Sequence, residues 1–194
     1  MSAAALFTLS LGAITNGAEA SEAGWVLDNE ASTVSFGSVK KGSVGEAHHF
    51  SKLSGTVNHD GDVAIEVDLT SVETWIDIRN ERIMEHVFLS TPAAVFTANV
   101  DMASLEGLAV GDIQDTELNG KFTLGAVDID VQADLVAVRL SETRVMILTA
   151  EMFWITTEEA GIDAGVDKLM ELAKLPGITR AFPVTLRLVF DHKS

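Results

Sequence analysis

Phe182-Pro183-Val184-Thr185-Leu186-Arg187-Leu188-Val189-Phe190-Asp191 carries Phe182, Val184, Leu186, Leu188 and Phe190 in one register, and Pro183, Thr185, Arg187, Val189 and Asp191 in the other. Side chains alternate across a strand, so this run predicts a β-strand whose two faces meet different surroundings. Pro183 cannot donate to a ladder and is expected near the strand's start. The same period recurs upstream. Val63, Ile65, Val67 and Leu69 alternate with Ala64, Glu66 and Asp68, and Val127, Ile129 and Val131 alternate with Asp128, Asp130 and Gln132. Turn chemistry separates such runs: Asn58-His59-Asp60-Gly61 between two strands, Leu118-Asn119-Gly120 ahead of the next, and Gly42 and Gly45 earlier. Regular strands with few helical stretches predict a sandwich or a closed antiparallel barrel. Closure removes exposed edges, and about eight strands leave room for one ligand.

Two segments break the alternation. Residues 77–89 are charged, with Ile78, Ile83, Val87 and Phe88 at mixed spacings, and read as a short helical turn followed by a loop. Residues 164–175 place Val166, Leu169, Met170 and Ala173 at helical spacing and stop before Pro176-Gly177, which predicts a short amphipathic helix between two strands. That helix is expected to cap the barrel, as a plain cover or as a mobile lid.

Composition narrows the function. The 194 residues are 47% apolar, enough for one generous core. Twenty-nine acidic against 13 basic residues give a formal charge of −16, which repels phosphate backbones, so nucleic acid is not an expected partner. With no cysteine there is no disulfide framework and no thiolate metal site. Residues 3–14 form a small, apolar, uncharged run, followed by Ala18-Glu19-Ala20, an A-x-A cleavage pattern, although no Lys or Arg stands in residues 1–5. The expectation is a signal peptide over residues 1–20, a single domain over 21–194, and a periplasmic or secreted location. A run of about a dozen apolar residues is too short for an integral span, which takes about 20.

In order along the chain stand Trp25-Val26-Leu27-Asp28, Ser32-Thr33-Val34-Ser35-Phe36, Phe50, Leu53-Ser54-Gly55 and Asp68-Leu69-Thr70-Ser71-Val72-Glu73-Thr74. They are followed by Arg79-Asn80-Glu81-Arg82-Ile83, Phe88, Pro92-Ala93-Ala94-Val95-Phe96 and Gly120-Lys121-Phe122-Thr123-Leu124-Gly125-Ala126-Val127. Taken together these segments resemble the YceI-like family, the lipid- or polyisoprenoid-binding YceI domain, from Trp25 to Phe190. Three positions depart from the family's pattern: Asn80 and Arg82 stand where many members carry Asp and His, and His49 replaces a glycine before Phe50. The resemblance implies an all-β fold, an extended lipocalin-like antiparallel β-barrel of about eight strands with a short helix capping it. It further implies binding, sequestration or transport of a long-chain amphiphile in the barrel tunnel: an isoprenoid quinone, a polyprenyl chain or a fatty amide. That lipid is a ligand, and no cofactor is expected.

A tunnel for such a tail needs inward apolar side chains, and Phe36, Phe50, Phe88, Phe96, Phe122, Phe153, Met84, Met152, Leu169 and Met170 are the candidate lining, with His49 as a polar group at the mouth. The bland alternative for each aromatic is plain core filling. His48, His49 and His86 invite a metal reading, but adjacent strand histidines point to opposite faces and no ligand spacing signature is present. Arg79 and Arg82 sit among Asp77, Glu81 and Glu85 and are read as exposed ion pairs, the alternative being a contact with a ligand headgroup. No nucleophile elbow, zincin motif or phosphate loop occurs, so the chain is read as a binding protein and not an enzyme. Two other readings stay open: an enzyme acting on a small hydrophobic substrate, which would need a polar cluster inside the barrel, and an extracellular interaction module, which would need Trp75 in a surface patch. Homodimers are compatible with such barrels.

Overall fold

The computed structural model describes residues 23–193; the expected signal peptide, residues 1–20, lies outside them. The chain runs β1 (Ala23–Leu27), β2 (Thr33–Lys40), β3 (Val44–Phe50), β4 (Leu53–Asn58), β5 (Asp62–Asp68), β6 (Val72–Glu73), α1 (Asp77–Arg82) and β7 (Ala93–Asn99). It continues through α2 (Met102–Glu106), β8 (Ile113–Leu124), β9 (Val127–Ser141), β10 (Arg144–Thr149), β11 (Phe153–Thr156), α3 (Asp163–Ala173) and β12 (Ala181–His192). Every pairing between strands is antiparallel. The order β1-β4-β5-β7-β8-β9-β10-β12 returns from β12 to β1, so eight strands close a barrel of the lipocalin-like kind.

β12 makes the barrel longer than its ring. Its C-terminal half pairs with β1 and β10, while its N-terminal half pairs with β2 and β11. β3 then adds to β2 and β6 to β3, extending the wall beyond one end of the ring. Pro183, third in β12, sits opposite Trp154. The core lies inside, where Trp25, Leu53, Val57, Val63, Ile65, Val67, Leu124, Ile129, Leu188 and Phe190 are buried on the inward phase of their strands.

The hairpin at residues 58–61 forms as expected: the Asn58 side chain accepts from the Asp60 and Asp62 amides, and Gly61 takes φ +84°. Asn119-Gly120 is not a turn. β8 runs straight through it, and the glycine is needed because the Phe96 ring lies over that position, where a Cβ would come within 2.3 Å of Phe96 Cζ. The real turn follows at Gly125, with φ +60°. α1 forms within residues 77–89, but the chain continues as a wide π turn, Ile83–Val87, that buries Ile83 and Val87. α2 was not expected; Asp101 caps it by accepting from the Ala103 amide.

The expected helix over 164–175 is α3, shifted by a residue or two. Its first turn is clamped, with the buried Thr157 hydroxyl donating to Asp163 and Arg180 reaching both Asp163 and Asp167. Gly165 lies directly on the π turn, where a Cβ would stand 2.3 Å from the His86 carbonyl oxygen.

Candidate functional site

A cavity of about 730 Å³ runs along the barrel axis. Its middle is aliphatic and aromatic, lined by Val57, Val63, Ile65 and Val67 from β4 and β5, Phe96 and Phe122 from β7 and β8, Val131, Ala133 and Leu135 from β9, and Leu186, Leu188 and Phe190 from β12. Polar side chains gather at its two ends. At one end, where β12 begins and β2, β3, α1 and α3 meet, stand Ser38, Lys40, Glu46, His48, Arg79 and Arg82. At the other, where β7 and β9 end, stand Asn99, Asp101, Ser104, Gln114, Glu117 and Arg139.

Seven of the candidate lining residues border this cavity: Phe36, Phe50, Phe88, Phe96, Phe122, Phe153 and Leu169. Phe36, Phe50 and Phe88 form an aromatic run at the α1 end, with ring centroids 5.5 and 6.1 Å apart. Four candidates are corrected. His49 and Phe50 are consecutive in a regular strand and cannot share a face; Phe50 points in, so His49 points out and packs beside the Trp75 ring at 5.6 Å. Met152 lies in the β10–β11 connection, 54% exposed. Met170 follows Leu169 around α3 by about 100° and turns toward Arg180, whose Nη2 lies 3.5 Å from its sulfur. Met84 packs against the core between Ile83 and Val87, and those two residues take the tunnel wall instead.

The histidine on the wall is His48, only 5% exposed. Its ring packs against Phe36, and its Nε2 lies 3.0 Å from Ser38 Oγ. Burial, reinforced by the Arg79 charge, pushes its pKa down to about 4, so it is neutral near pH 7. Beside it, Glu46 takes Lys40 Nζ at 2.8 Å and Arg79 Nη1 at 2.9 Å. Burial works against ionisation of Glu46, yet these two hydrogen bonds outweigh it and hold the carboxyl below its ordinary range. Arg79 is held from behind as well, since its Nε donates to Thr74 Oγ1 at 2.8 Å and its Nη2 to the Thr74 carbonyl. Asn80 accepts from the Thr74 amide at 3.0 Å and so braces the same corner.

At the far end, Arg139 is 9% exposed, with its guanidinium 5.2 Å from the centroid of the Trp25 ring and Nη2 donating to the Glu142 carbonyl at 2.9 Å. It occupies the inward phase of β9 after Ala133, Leu135 and Ala137, and narrows that end of the bore.

The Ser38–His48 pair has the spacing of a nucleophile and its base, but His48 Nδ1 has no partner among the described residues where a triad would place a carboxylate, and a pKa near 4 makes it a weak base at neutral pH. Among the described residues no three His, Asp or Glu side chains converge on a common point as a metal cluster would require. No helix among them is long and apolar enough to cross a membrane. Trp75, 76% exposed at φ +65°, points away from the tunnel.

Residues 25–190 match the YceI-like domain family. Among solved structures, a polyisoprenoid-binding domain from Saccharophagus degradans, implicated in plant cell wall breakdown, is 33% identical, with a TM-score of 0.86 over 89% of this chain and 100% of that one. BcnA of Burkholderia cenocepacia shares the fold at 16% identity and a TM-score of 0.63, over 84% of this chain and 98% of its own. A YceI protein of Campylobacter jejuni shares it at 12% identity and 0.55, over 76% and 85%. No curated protein matches the sequence.

Proposed function

This chain belongs to the YceI-like domain family, and from that premise together with its tunnel we propose that it binds one long-chain lipid, its tail threaded along the barrel axis, as a carrier or reservoir for an isoprenoid outside the cytoplasm. The observation that carries the reading is the unbroken apolar wall between two polar ends, which suits a molecule with a long tail and a small polar group. Burial of about ten tail carbons, at about 0.8 kcal/mol each, supplies roughly 8 kcal/mol before the costs of association. The isoprenoid class draws support from the 33% identical domain that binds polyisoprenoids. Export draws support from the A-x-A pattern at Ala18-Glu19-Ala20.

The test is native mass spectrometry of the purified full chain, followed by organic extraction and identification of what is released. A stoichiometric polyprenyl species supports the reading and names the cargo. A protein that arrives empty and takes up no added C20 to C40 isoprenoid overturns it.

A further inference from the structure

From the unequal ends of the tunnel and the surroundings of Arg82, we propose that the cargo is an anionic amphiphile, a long-chain carboxylate or phosphate ester whose headgroup pairs with Arg82 and whose tail runs toward α2. This rests on the tunnel-binding reading above and adds the chemistry of the headgroup.

The charges lining the tunnel are distributed against the trend of the molecule. The chain as a whole carries −16, yet at the β2–β3–α1 end three cations, Lys40, Arg79 and Arg82, face the tunnel with one carboxylate, Glu46. At the α2 end the balance reverses, with Asp101 and Glu117 against Arg139. A headgroup of negative charge therefore has a favoured end, and the tail a favoured direction.

Within the cationic end the side chains are not equivalent. Glu46 is shared by Lys40 and Arg79, at 2.8 and 2.9 Å, and Arg79 is further tied to Thr74 through Nε and Nη2. Those groups hold one another. Arg82 borders the same tunnel, half-buried, and makes no hydrogen bond or ion pair with any other described residue. Glu85, one turn further on, lies 3.7 Å from His86. Arg82 thus presents a guanidinium fork at the tunnel wall with its donors uncommitted. That fork fits a carboxylate or phosphate in two parallel charge-assisted hydrogen bonds, whereas a neutral hydroxyl can take one uncharged bond.

The experiment compares three ligands with one C20 isoprenoid tail, geranylgeranyl phosphate, geranylgeranoic acid and geranylgeraniol, bound to the delipidated full chain and read by native mass spectrometry and by displacement of a fluorescent fatty-acid probe. The acid and the phosphate are expected to bind about tenfold or more tightly than the alcohol, and the stronger of the two identifies the anion. In Arg82→Gln the ratio of anion to alcohol affinity is expected to fall to near one; in Arg82→Lys, which keeps the charge, most of it remains. Equal binding of alcohol and anions by the native chain, or a ratio unchanged in a folded Arg82→Gln, overturns the assignment while leaving tunnel binding in place. No uptake of any of the three, nor of a C40 isoprenoid, removes the tunnel reading, and the headgroup assignment with it.

Discussion

Substituting Ala133 by Phe separates a tunnel that holds a tail from a barrel that is merely loosely filled. Ala133 is an inward residue of β9, 6% exposed, on the tunnel wall opposite Leu118 of β8. It lies midway along the strand between Val127 and Arg139, so about 20 Å of strand, roughly 15 Å along the axis at ordinary barrel tilt, extends to each side of it. A benzyl group there obstructs a bore that must pass a hydrocarbon chain. If only five methylenes of the tail are excluded beyond it, about 4 kcal/mol of burial is lost, close to a thousandfold in affinity. A C10 tail entering from the α1 end stops short of the block and should bind Ala133→Phe and the native chain alike. A C40 tail should lose at least a hundredfold. The assay is competitive displacement with the two tail lengths, with thermal melting as a control for folding. Because the added ring enters open space, the melting temperature should hold or rise. A folded Ala133→Phe that binds the C40 ligand with native affinity would show that the tail does not run past the middle of β9 and would refute the threading argument.

Other outcomes follow from single side chains. His48, with its pKa lowered to about 4 in the folded state, binds a proton less readily there than in the unfolded chain, so its contribution is fully present above about pH 6.5 and is lost as pH falls through the window down to about 4. Urea titrations at pH 7 and pH 4.5 should show the native chain losing about 2 kcal/mol more than His48→Gln does; equal declines would contradict the buried, neutral histidine. Gly165→Ala should cost about 2–3 kcal/mol, since the new methyl meets the His86 carbonyl and the backbone of Val87, and melting that stays within a degree of native would mean α3 does not sit hard on the π turn. Trp75→Gly releases a left-handed backbone from its Cβ while removing a side chain that is 76% exposed, so stability should change by less than about 1 kcal/mol in either direction; a larger loss would show that the indole supports the barrel.

Strand identity was readable where one face is apolar. The runs at residues 63–69, 127–131 and 182–191 fall in β5, β9 and β12, except that Leu69 lies just past β5 in a 3-10 turn, because alternation is dictated by the pleat and needs no tertiary information. What joins them was less visible. Asn119-Gly120 has turn chemistry, but a glycine in a strand equally marks a close approach, and the deciding neighbour, Phe96, belongs to another strand. α2 spans only five residues and has a cap but no room for an apolar stripe. Closure depends on β12 pairing with four strands along its two edges, a long-range arrangement that period alone does not encode.

The polar end of the tunnel was legible in principle, because the phase of a strand carries over from its aromatics to its charges. If Phe36 points inward, so do Ser38 and Lys40 on β2; if Phe50 points inward, so do His48 and Glu46 on β3, and the pairing of Phe36 with His48 and of Ser38 with Glu46 puts all of them on one patch. Reading apolar residues as lining and polar ones as surface hides this, since that rule holds only where both ends of a strand meet the same environment. β2 and β3 extend past the closed ring, so their inner face passes from dry core to the tunnel's end within one strand, and hydrophobicity changes along that face while phase does not. The same logic distinguishes the arginines of α1: Arg79 is drawn onto Glu46 by that patch, and Arg82, three residues on and on the same side of the helix, reaches the tunnel with its hydrogen-bonding capacity still available.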